Sequence, residues 1–153
     1  SAGGIGGISP GPLAYQHSNA IAPAGYSETQ IAPDRYRIAV RGPLNTPRER
    51  MEKIATTRAA EIGKTNQLGF FKIDSIAVTQ ECETFRPGHR APGSNAAAKT
   101  LAHAVMTAEV SYTKTPPDPS YLNARTSFDQ LRAELDQDQT APPPLDPAGQ
   151  KCG

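Results

Sequence analysis

The sequence contains no tryptophan, only 6% aromatic residues and two cysteines. No apolar run approaches the ~18 residues that a membrane-spanning helix needs. No nucleophile elbow, HExxH or P-loop occurs. The Gly3-Gly4-Ile5-Gly6-Gly7 cluster has neither a strand before it nor a helix after it, so it is not a dinucleotide fingerprint. The three histidines, His17, His89 and His103, are far apart and show no metal-ligand spacing. These absences predict a chain without catalytic residues, cofactor or metal.

Hydrophobic residues make up 37% of the 153, beside 15 Pro and 13 Gly. A core along the whole length cannot be built from that mixture, so part of the chain must run as loop or extended segment. The net charge of +1 hides a segregation. Residues 1–34 carry only Glu28 and Asp34, residues 35–114 carry 13 Lys/Arg against 7 Asp/Glu, and residues 115–153 carry 3 against 6. A basic body between acidic flanks favours contacts of the flanks with the body. Nucleic acid is a poor match, because the basic positions lack interleaved aromatics and the overall pI is about 7.8.

Residues 1–34 read as an extended Gly/Pro-rich arm, a single α+β domain follows over 35–137, and 138–153 form a Pro-rich tail. The arm carries Ile5, Ile8, Leu13, Tyr15, Ile21 and Tyr26 without helical or strand periodicity. A solvated linker has no need of such side chains, so they are candidate partner-binding residues.

Tyr36-Arg37-Ile38-Ala39-Val40-Arg41 alternates as a half-buried strand with Arg37 and Arg41 on its wet face. Thr46-Pro47-Arg48-Glu49 has the form of a capping box and opens a helix to about Gln67, with Gly69 as its stop. Phe70 to Thr79 is a second strand whose alternation slips near Asp74-Ser75, which predicts a bulge. A polar connection over 81–100 follows, and a third strand runs from about His103 to Thr113, a stretch whose start also fits a helix. Ser127 and Gln130 suggest a second capping box for a helix over Phe128–Asp136. The economical arrangement is a three-stranded β-α-β-β sheet with the long helix on one face. Second and third strands should pair antiparallel; if the first two are neighbours, their crossover should be right-handed. The expected core is Tyr36, Ile38, Val40, Met51, Ile54, Ile62, Phe71, Ile73, Val78, Val110 and Tyr112.

Ser1-Ala2-Gly3 has the small side chains left by signal peptidase, and the even cysteine count suits a Cys82–Cys152 disulfide tethering the tail. Both point to a periplasmic or extracellular location. The strand Tyr36–Arg41, the helix tetrapeptide Arg58-Ala59-Ala60-Glu61, the segment Gly69-Phe70-Phe71-Lys72-Ile73 and, more weakly, Tyr121-Leu122-Asn123-Ala124-Arg125 resemble a family of small exported proteobacterial proteins, many of them lipoproteins, with no assigned activity. The resemblance covers at most residues 36–135. It implies an α+β fold in the cell envelope and brings no catalytic residues, while the lipoprotein's N-terminal cysteine is not matched. The function expected is that of an accessory or structural subunit binding other subunits of an envelope or extracellular complex through arm and tail, with any membrane association made through those partners. The alternative is a freestanding periplasmic module binding a small anionic or cell-wall ligand through Arg37, Arg41, Arg86 and Arg90.

Overall fold

The computed structural model describes residues 11–85 and 99–144. Seven elements follow in order: β1 (Gly25–Ala32), β2 (Arg35–Pro43), α1 (Arg48–Thr65), β3 (Phe70–Phe85), β4 (Lys99–Thr113), β5 (Leu122–Asn123) and α2 (Ala124–Gln137). The strands make one sheet in the order β1-β2-β4-β3-β5, every neighbouring pair antiparallel. The fold is α+β as expected, but the sheet has five strands instead of three.

The largest correction falls on the segment assigned to the arm. Gly25 to Ala32 pairs with β2 as a hairpin, closed by a turn at Pro33-Asp34. Only Tyr26 gives this strand a buried apolar side chain on the helix side, and Glu28 and Gln30 share its parity. The usual alternation of apolar and polar is therefore missing. The turn dipeptide between Ile31 and Tyr36 was the available signal.

β2 and β3 are not neighbours, because β4 lies between them, so the condition attached to the crossover is not met. β3 and β4 do pair antiparallel, with a register shift between Ile73 and Ser75 where the slipped alternation placed a bulge. Both strands run further than their patterns suggested, to Phe85 and from Lys99, and the ambiguous stretch before Thr113 is strand.

Neither capping box forms. α1 begins after Pro47 with no side-chain cap, and the Thr46 N–H donates to Pro43 O at 3.0 Å. α2 begins earlier than expected at Ala124, where the Asn123 side chain accepts from Thr126 N at 2.9 Å. α1 ends at Thr65, and both Gln67, at φ 56°, and Gly69, at φ 78°, take a left-handed conformation beyond it.

α1 packs across β2, β3 and β4, and α2 packs against α1. Ile38, Val40, Met51, Ile54, Ile62, Phe71, Val110 and Tyr112 are buried as expected, with Tyr36 and Ile73 partly so. Val78 is a correction at 42% exposed. It lies where β3 has lost its outer neighbour, since β5 covers only Phe70 and Phe71. Gly63 lets the layers close: a Cβ there would stand 2.8 Å from Ala124 Cβ and 3.1 Å from the Tyr112 ring.

Candidate functional site

Two arginines of α1 hold β1 and the segment before it against the body, Arg58 through β1 and Arg50 through Leu13. The first is Arg58 of the Arg-Ala-Ala-Glu tetrapeptide, its side chain only 15% exposed. Its Nε and Nη2 grip the Glu28 carboxylate at 3.0 and 2.7 Å, and its Nη1 reaches Glu61 Oε1 at 2.8 Å. A two-toothed arginine–carboxylate pair is the geometry in which such a bond is strong. The guanidinium also lies 4.7 Å from the Tyr26 ring centre. Burial alone would lower the Arg58 pKa, but hydrogen bonds and charge from Glu28 and Glu61 outweigh it and raise the value overall. Arg58 and Glu61 make the ion pair that their i,i+3 spacing on one helix allows, while the main partner of Arg58, Glu28, is 30 residues upstream.

Tyr15 closes the cluster. Its hydroxyl donates to Glu61 Oε1 at 2.6 Å, its ring lies 4.7 Å from that of Tyr26, and Arg132 of α2 stands 4.9 Å above it. Burial first, then the hydrogen bond to Glu61 and that group's charge, push the Tyr15 pKa well above the usual phenol range.

The second arginine is Arg50, buried with 9% exposure. Its Nε donates to Leu13 O at 3.0 Å, and its Nη1 donates to Leu135 O at 3.3 Å and Asp138 O at 3.1 Å. It therefore satisfies carbonyls at the end of α2 and one from the N-terminal segment together. Burial lowers its pKa, with the Asp138 charge opposing that. Nothing in the local sequence distinguishes Arg50, because its acceptors are all distant backbone atoms.

Four of the candidate partner-binding residues lie among the described residues. Leu13 and Tyr26 are in this chain's own core and Tyr15 is packed against it. The side chains of these three enter grooves on the chain itself. Ile21 is 96% exposed, at a turn where Asn19 Oδ1 accepts from the N–H groups of Ile21 and Ala22. Ile5 and Ile8 lie outside the described residues.

The candidate anion-binding residues are not brought together as a bare cationic patch. Arg37 and its neighbour Arg35 both bind Glu109, each at 3.0 Å, and Arg41 Nε binds Glu81 Oε1 at 3.1 Å. Arg86 and Arg90 lie outside the described residues. Cys82 sits on β3 opposite Ala102, and Cys152 lies outside the described residues, as does the bridge proposed between them.

A cleft of about 470 Å³ opens where β2 ends, between Ala22–Ala24, Arg41–Pro43 and the strand pair at Glu81 and His103. Its size is that of a small-ligand site. Arg41 enters it already bound to Glu81. Among the described residues no group of three or more His, Cys, Asp or Glu could hold a metal ion, and no helix is long and apolar enough to cross a membrane. No family model, no curated protein and no solved structure matches the chain.

Proposed function

We propose that the chain is a non-catalytic accessory or structural subunit of a bacterial cell-envelope or extracellular assembly, and that it meets a protein neighbour with the sheet face opposite the helices. The observation that carries this reading is the one-sided sheet. α1 and α2 fill one face, while the other presents Arg35, Arg37, Arg41, Glu81, Glu109 and Thr107, with no described element laid over it. Its charges are paired within the chain, which suits recognition by a polar protein surface better than chemistry on a small substrate. The resemblance of the Arg58–Glu61 helix and the strand after it to exported proteins supports the envelope setting.

In this reading the N-terminal segment from Pro12 to Tyr26 is part of the scaffold, so the neighbour meets the sheet and not a free arm. A photo-crosslinking residue in place of Thr107 should capture one protein in intact cell envelopes, and the same residue in place of Asp129 on α2 should not. Equal capture from both positions, or from neither, counts against the proposal.

The cleft beside Arg41 favours a second reading, a binding module for a small anionic or cell-wall ligand. Arg41 would then have to exchange Glu81 for the ligand. Calorimetry with phosphate and with a muropeptide decides it, and Arg41→Gln should abolish any heat seen.

A further inference from the structure

The outer edge of β1 is only half used. The Tyr26 N–H donates to Gln16 O and the Tyr26 carbonyl accepts from Ser18 N–H, both at 2.8 Å, so residues 16–18 lie along that edge as a short parallel strand. After Ser18 the chain turns away through Asn19. In an antiparallel ladder every second residue turns both its backbone groups to the same side. Since Tyr26 faces away from β2, so do Glu28 and Gln30. Among the described residues nothing pairs with their N–H and C=O groups.

Exposed edges are usually blunted by lysine, proline, a bulge or an inward-pointing charge. β1 has no Lys, Arg or Pro, and its one charged side chain, Glu28, is held by Arg58. We propose that this edge pairs antiparallel with the same edge of a second copy of the chain, about a twofold axis at Thr29, joining the two sheets into one.

The register follows from charge and from the strand's own irregularity. Centred on Glu28, the pairing sets two carboxylates opposite each other, which is unfavourable. Centred on Gln30, it runs into the register shift between Gln30 and Ala32. Centred on Thr29, each Glu28 faces the second copy's Gln30, and the outward N–H and C=O groups of both residues are satisfied on both chains. Thr29 then faces its own copy, a favourable cross-strand pair. The irregularity at Ile31 bends each strand away where Ser18 of the other copy stands. The edge is thus self-complementary, and for that reason a second copy is the occupant, ahead of an unrelated extended segment.

The dimer is independent of the accessory-subunit reading, which a monomeric chain would leave in place. Sedimentation velocity on the full chain should show the mass rising from 16.2 kDa towards double as concentration increases. Gln30→Pro removes an outward N–H without removing a bond to β2, and proline is tolerated on edge strands. Thr29→Lys sets like charges across the axis. Each variant should need at least about tenfold more protein to dimerise, equivalent to about 1.4 kcal/mol, while Thr29→Val dimerises as the parent does. Circular dichroism and thermal melting check the fold, and if Gln30→Pro melts early, Thr29→Lys decides. A parent monomeric up to about 1 mM, a dissociation constant corresponding to only about 4 kcal/mol, overturns the proposal. So does a dimer indifferent to both variants, or an edge found paired with a different protein.

Discussion

Along β2, Ile38 and Val40 are wholly buried on the side of α1, while Arg37 and Arg41, one residue away, stand at the opposite surface bound to Glu109 and Glu81. The covered face holds side chains that have left water, each with ~1.5–3 kcal/mol of burial behind it. The open face holds ion pairs at roughly a third to a half exposure, a class that contributes ~0–1 kcal/mol. Stability is thus concentrated on one side of these strands, so side chains on the other can vary without much effect on it.

The sharpest test of that contrast is on the covered side. Ile54, in the middle of α1 and fully buried, should cost ~2–4 kcal/mol of unfolding free energy when changed to Ala. Urea titration measures it, and a loss below ~0.5 kcal/mol would mean that the core does not depend on α1 as described.

Tyr15 comes next, since it sits where the N-terminal segment joins the covered layer. Tyr15→Phe should cost about 1–2 kcal/mol by removing the hydrogen bond to Glu61. Its pKa is raised in the folded chain above the ordinary 10.0, so the folded state holds that proton more tightly than the unfolded state. The stability this contributes is complete below about pH 10 and is lost as the pH climbs beyond it. The phenylalanine variant should therefore lose stability with alkali less steeply than the parent. A residual slope is expected from Tyr112 and Tyr26, whose pKa values burial also raises. Parallel curves for variant and parent would remove Tyr15 from the account.

The smallest effect belongs to the open face. Glu109→Gln breaks the pairs with Arg35 and Arg37 and should change stability by no more than ~0.5 kcal/mol, because water and salt screen both. A loss of 2 kcal/mol or more, beyond about the upper end for a surface pair, would show that the open face also holds the fold.

The elements legible in the sequence are those whose own pattern matches their burial. β2 shows its two faces by strict alternation, and β3 shows its bulge by the parity change between Ile73 and Ile76. β1 was hidden because the side chain next to Tyr26 on the inner face is Glu28, a partly buried carboxylate whose partner, Arg58, arrives from another element. Leu13 and Tyr15 left a trace, as apolar residues among glycines and prolines, but not the surface that takes them. Arg50 left none. Its role depends on backbone carbonyls 37, 85 and 88 residues away, and a local window contains no record of them. The candidate site was correspondingly half legible: the pair Arg58–Glu61 could be read from helical spacing, and its use in holding the N-terminal segment could not.

Arg50 also determines how the chain responds to being pulled. Leu13, ahead of β1, and Asp138, just past α2, are both bonded to it and so lie close together in space. Force applied between Leu13 and Asp138 would load the hydrogen bonds of that guanidinium together with the core packing of Leu13 and Leu135. That makes residue 50 a clasp between the segment before β1 and the segment after α2, and Arg50→Met should let both peel away under tension while the sheet remains intact.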